Sequence, residues 1–224
     1  MRDDITSIPI SEVFEPKAGC PVCRLRDMLE ERSVTYITGA AMMEPDVRIE
    51  TNKTGFCRFH YGQMLEKSKK LTIALMLQSH LAQIAVDGVA EAPSGKFAKK
   101  KSDGESCFIC AKLNRNMEQI VKNICLLWEK EKEVRLLNSE QPFLCLEHCR
   151  MLTATSKEVS KKNRSEFKKV TEKLATDRLV DLANDLNHFC SMFDYRSNGE
   201  EDWGNSKDSV ERTVEWLTSR KISR

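Results

Sequence analysis

The chain has 224 residues, of which 31% are charged and 40% hydrophobic, and a formal net charge of +2. That length can bury a sizeable core unaided, and the near balance of charge removes a global basic field as an argument for nucleic acid. Only 9 Gly and 6 Pro are present, few for an all-β chain rich in turns.

The opening Met1-Arg2-Asp3-Asp4-Ile5 lacks a basic segment followed by an apolar run, so no signal peptide is expected and the expected location is cytoplasmic. Residues 1–19 read as an extended lead-in with Pro9 and Pro16, from which Val13 and Phe14 dock on the body. Pro21 suits a first helical turn, and a helix is expected over 21–41. Pro45 and Glu50–Gly55 read as a return loop. A second helix is expected from Cys57 to about Ala90, with Leu71, Ala74, Leu77, Leu81 and Ile84 on its buried face at spacings of three and four. Its apolar stretch is broken by Gln78, His80, Gln83 and Asp87 and is too polar to span a membrane.

Residues 91–105, EAPSGKFAKKKSDGE, break the apolar rhythm and read as an exposed linker. A third helix is expected from Cys107 to about Glu133, with Ile109, Leu113, Met117, Ile120, Ile124 and Leu127 as its stripe. Asn138–Pro142 read as a second return loop. A fourth helix opens near Cys145. A long fifth, over about 165–195, buries Phe167, Val170, Leu174, Leu179, Leu182, Leu186 and Phe193. Residues 153–164 hold neither Pro nor Gly, so the continuity of these two helices stays open. After the loop Ser197–Gly204, a last helix starts near Asn205 or Ser206, both good caps, and carries Val210, Val214 and Leu217.

Two motif pairs run through these elements. Cys20-Pro-Val-Cys23 is followed by Cys57-Arg-Phe-His60, and Cys107-Phe-Ile-Cys110 by Cys145-Leu-Glu-His148. Repetition in the same order is itself informative. In a reducing compartment, paired cysteines point to metal or redox chemistry before disulfides, and nine cysteines fit a disulfide framework poorly. A two-residue gap lets one turn of chain present two donors to one ion, and Cys3His is a common structural zinc set. Each half is therefore expected to close its own site, Cys20, Cys23, Cys57 and His60 in the first, Cys107, Cys110, Cys145 and His148 in the second. A helix over 21–41 climbs roughly 30 Å, and residues 42–56, if extended, reach back about 50 Å. Helix N-termini carry partial positive charge and lower thiol pKa values, which suits thiolates placed there. An iron–sulfur cluster on the same ligands is the chemical alternative.

The other candidates have plainer readings. Cys149 reads as a free thiol beside the second site, Cys125 and Cys190 as core thiols, and His80 as a satisfied core histidine. His188 shares a face with Asp181 and Asp185 and is expected to be exposed. The basic residues Lys161, Lys162, Arg164, Lys168 and Lys169 read as a solvated helix face, as do Lys96, Lys99, Lys100 and Lys101 in the linker. No Gly-rich phosphate loop, H-E-x-x-H or G-x-S-x-G occurs.

The segments GCPVCRL, GFCRFHYGQML, SCFIC, FLCLEHCRML and FDYRSNGEEDWGNSKDSVERTVEWL resemble a bacterial family of uncharacterised proteins with duplicated CxxC/CxxH motifs. Some of its members are labelled ABC transporter substrate-binding protein, a label at odds with a helical chain that shows no export signal. The resemblance implies the repeat, and it marks Asp194, Tyr195, Arg196, Lys207, Asp208 and Arg212 as a candidate surface or packing feature.

The sequence thus predicts an all-α long-helix bundle of two related halves, 1–90 and 106–224, around the linker 91–105. Each half has a Cys3His zinc site at helix N-termini. The expected function is a non-catalytic zinc-binding scaffold or adaptor for a protein partner, away from membranes. The alternatives are a nucleic-acid-binding regulator using Lys96–Lys101 and the basic helix near Lys161, and a zinc-thiolate redox sensor.

Overall fold

In the computed structural model the described residues are 10–67, 70–89, 107–193 and 202–222. The chain is all-helical, with no strand among the described residues. The described residues form ten α-helical segments: α1 Ile10–Phe14, α2 Pro21–Thr38, α3 Pro45–Thr54, α4 Arg58–Lys67, α5 Lys70–Asp87, α6 Phe108–Lys130, α7 Lys132–Ser139, α8 Leu146–Thr155, α9 Arg164–Ser191 and α10 Ser209–Thr218. Short 3-10 turns lie at Ala40–Met43, Ser156–Glu158 and Gly204–Ser206.

The chain divides into two compact units, one of residues 1–25 with 119–224, the other of residues 26–118. The divisions fall inside α2 and α6. They do not coincide with the halves 1–90 and 106–224 read from motif order. The whole of the expected linker 91–105, and with it Lys96–Lys101, lies outside the described residues, as do Asp194, Tyr195 and Arg196.

In the unit of residues 26–118, the core gathers Val34, Ile37 and Ala41 with Met64, Ile73, Met76, Cys107, Phe108 and Ile109. The expected return loop at 45–54 is instead α3. Pro45 supplies its first turn, and Gly55 ends it at φ +60. That glycine is required twice over, because its φ lies in the left-handed region and a Cβ there would meet His80 Nε2 at 2.7 Å. α3 packs on α5 through polar contacts: Arg48 donates to Ser79 Oγ at 2.6 Å, and His80 Nδ1 to the Asn52 carbonyl at 2.6 Å. His80 is thus a satisfied histidine and belongs to neither Cys/His group found among the described residues. No apolar rhythm runs through PDVRIETNKT, and polar pairing holds it instead.

Of the expected helix 57–90, the described residues give α4 and α5, on either side of residues 68–69, and its buried face is corrected. Ile73 and Met76 are buried, while Leu71, Leu77 and Leu81 are 69%, 37% and 61% exposed. α5 is apolar nearly all round, so spacing alone does not choose a face.

In the other unit, Val13 and Phe14 dock as expected, from the short helix α1 rather than an extended strand of chain. Gln141 Nε2 donates to the Phe14 carbonyl at 2.6 Å. The stripe of α6 is buried as read, with Trp128 in place of half-buried Leu127. Trp128 meets Phe167 edge to face at 5.1 Å, and Arg135 lies over its ring. The expected loop 138–142 begins two residues late, because α7 runs to Ser139.

α8 and α9 are separate, parted by the 3-10 turn and residues 159–163. Arg164 donates to the carbonyls of Ser156, Lys157 and Val159, each at 3.0 Å, which satisfies the turn without Pro or Gly. Phe167, Thr171, Leu174, Ala175 and Leu182 are the buried side of α9, whereas Leu179 and Phe193 are exposed. Cys190 is exposed too, against its reading as a core thiol, while Cys125 is fully buried. His188 is partly covered and bonds the Asp202 carbonyl at 2.9 Å. α10 starts three to four residues later than expected. It buries Trp216, whose Nε1 donates to the Leu144 carbonyl at 2.9 Å, and leaves Val210, Val214 and Leu217 outward. Asp208 and Asp185 both bind Arg212, at 2.7 and 3.0 Å.

Candidate metal centres

Each motif begins at the residue just before a helix. The carbonyls of Cys20, Cys57, Cys107 and Cys145 accept the first i+4 bond, from Arg24, Tyr61, Ala111 and Cys149, at 2.9–3.2 Å. The second donor of each motif falls one turn on, at the third helical residue. A C-x2-C or C-x2-H at such a start aims both donors off the same end of the helix.

The eight predicted ligands gather in two groups of four, but not in the expected pairing. Cys20 and Cys23 join Cys145 and His148, while Cys57 and His60 join Cys107 and Cys110. The first pair of the chain closes with the last, and the two middle pairs close with each other. The sequence-level pairing of neighbours is therefore wrong. Cys57 packs against the core that holds Val34, Ile37 and Ala41. The segment expected to run back extended is α3, where ten residues cover only about 15 Å. Each structural unit holds one complete group.

In the Cys20 group, His148 Nδ1 lies 3.7, 3.3 and 3.0 Å from the sulfurs of Cys20, Cys23 and Cys145, and Cys23 lies 3.6 Å from Cys145. In the Cys57 group, His60 Nδ1 lies 3.2, 3.3 and 3.4 Å from Cys57, Cys107 and Cys110, and Cys57 lies 3.8 Å from Cys110. Donors on a tetrahedral zinc stand about 3.5–3.8 Å apart, from bond lengths of ~2.3 Å to sulfur and ~2.0–2.1 Å to nitrogen. Three soft sulfurs and one imidazole suit such an ion, and the edges above, 3.0–3.8 Å, need only open by a few tenths of an ångström to admit it. Both histidines are buried, whereas Cys23, Cys57 and Cys110 are partly open.

The protons in each group are shared unequally. Burial pulls His60 down, but Cys107 and the Glu30 carboxylate outweigh it and hold the imidazole up at about 10. His148 is raised to about 9 against burial by Cys145 and Cys20. Burial pushes Cys107 up, yet the hydrogen bond with His60 leads the effects that bring it down to about 6. Cys145 is lowered by hydrogen bonds from Cys20 and Cys23, and Cys23 is raised, first by its bond to Cys145. Cys110 is pushed up by burial and by Cys107. A lowered thiol beside a raised imidazole is what a cation would replace.

Two supporting residues escaped the sequence reading. Glu30 Oε1 lies 3.2 Å from His60 Nε2, on the ring edge away from the sulfurs. Ser219 Oγ lies 2.9 Å from Cys145 Sγ. A carboxylate behind a ligating histidine fixes its ring and raises its basicity, but one Glu within α2 carries no motif that announces this. Ser219 sits 74 residues from Cys145, with no local signal at all. Cys149 stays outside both groups, with its sulfur 3.7 Å from the Thr171 carbonyl, as its reading as a free thiol required.

Fold and site together define an all-helical protein with two Cys3His groups able to hold metal ions. The chain belongs to the family of unknown function DUF6062, whose model matches residues 1–224. That description names no transport activity. No curated protein and no solved structure matches the chain.

Proposed function

We propose that the protein is a zinc-stabilised, non-catalytic helical scaffold that docks a protein partner. The observation that carries this reading is the count of donors. Each group supplies four protein ligands, which fill a tetrahedral zinc and leave no position for water or substrate. A partner-docking role draws support from α5, whose outward side presents Leu71 and Leu81 with Val86, 82% exposed, and no charge between Lys70 and Asp87.

Native mass spectrometry of protein made with zinc available tests the metal. It should show about two zinc ions per chain, and X-ray absorption should show three sulfurs and one nitrogen around each. Absence of metal, or a brown iron-loaded sample, overturns the zinc assignment. For docking, Leu71→Glu with Leu81→Glu should abolish partner cross-linking and leave thermal stability unchanged. Retained cross-linking removes α5 as the docking face.

A further inference from the structure

A cleft of about 680 Å³ lies in the unit of residues 1–25 with 119–224, and neither metal group uses it. Its lining comes from α8, the 3-10 turn and α9. Arg150, Thr153 and Ala154 stand at i, i+3 and i+4 on one face of α8, and Lys157 follows in the 3-10 turn. Arg164, Lys168 and Glu172 stand at i, i+4 and i+8 on the facing helix. The basic run that reads in sequence as a solvated face is thus divided. Arg164 and Lys168 turn into the cleft and are partly buried, while Lys161 and Lys162 stay exposed outside it.

Four cations share this space with one carboxylate. Arg150, Lys157 and Lys168 form no ion pair with a described carboxylate, whereas Lys173, also on α9, pairs with Asp177. Arg164 spends its donors on the carbonyls of Ser156, Lys157 and Val159, so the turn that carries Lys157 is held in place. Cations gathered in a cleft repel one another unless an anion joins them. A cleft of this size lies within the usual range for small-molecule sites and exceeds what one phosphate fills. No aromatic side chain lines it, so it has no platform for base stacking. We propose that this cleft binds a small polyanion through its phosphate chain, an inorganic di- or triphosphate or the phosphates of a nucleotide.

Calorimetric titration of the zinc-loaded full chain with inorganic triphosphate tests this, with ADP and a single-stranded oligonucleotide as further arms. Zinc content is measured before and after, because triphosphate also chelates zinc. Saturable one-to-one binding with zinc retained is expected. Lys157→Gln with Lys168→Gln should weaken it by about tenfold, and Glu172→Gln should strengthen it severalfold. Lys161→Gln with Lys162→Gln, outside the cleft, should change it less than about twofold. ADP equal to triphosphate identifies the nucleotide phosphates as a source, and triphosphate alone identifies the inorganic chain. The proposal is overturned by equal losses in the two lysine pairs, by heat that tracks zinc loss, or by an oligonucleotide that outcompetes triphosphate.

Discussion

Glu30 reaches the back of His60, its carboxylate oxygen 3.2 Å from Nε2, and both side chains are almost fully buried, at 5% and 0% exposure. The other group has no such support, since among the described residues no carboxylate pairs with His148. The two centres should therefore differ in strength. Glu30→Ala is expected to cost the Cys57 group about 10–100-fold in metal affinity and to leave the Cys20 group unchanged. Chelator competition followed by metal counting reads this as loss of one ion ahead of the other.

The crossed pairing makes a stoichiometric prediction. Cys20→Ser and His148→Ala strike the same group, so the double variant should lose one metal ion and keep the other. Cys20→Ser with His60→Ala strikes both groups and should lose both. Neighbour pairing within each half predicts the reverse.

Metal affinity should rise with pH. The raised imidazoles of His60 (about 10) and His148 (about 9) hold protons at neutral pH, as do the raised thiols of Cys23 and Cys110. Each must give up its proton to ligate, so proton competition strengthens as pH falls below about 9–10. Cys107, lowered to about 6, adds its own competition only below that value. Competition with a metal indicator at pH 6, 7 and 8 should show tighter binding at each step.

The corrected face of α5 is open to test. Met76 is 4% exposed and Leu81 is 61% exposed. Met76→Ala should cost about 2–5 kcal/mol of stability. Leu81→Ala should stay within about 0.5 kcal/mol. Denaturant midpoints distinguish the two, and a large loss at Leu81 would return the buried face to the one read from sequence.

Ser219 ends α10 in the left-handed region at φ +56, with its hydroxyl on Cys145. Ser219→Ala and Ser219→Gly both remove that hydroxyl, but only glycine relieves the backbone. The alanine variant should be less stable than the glycine variant by about 1 kcal/mol in thermal unfolding.

All eight grouped donors were legible, because a motif at a helix start needs only local geometry. Their partnership was not, because it depends on whether 45–54 returns extended or coils into α3. Polar links such as Arg48 to Ser79 decide that, and periodicity does not show them. The stripe of α6 was readable since Ile109, Leu113 and Ile124 alternate with charges. α5 and α10 have apolar residues on more than one side, so their cores, Met76 and Trp216, emerge only from packing.

The nested order of the two groups imposes a schedule on the growing polypeptide. The inner group is complete once Cys110 has emerged from the ribosome, while Cys20 and Cys23, made first, must wait for Cys145 and His148. Throughout that interval the first two thiols lack two of the four donors of their group. A chain released early, anywhere between positions 110 and 145, would carry one complete donor group and one cysteine pair without its partners.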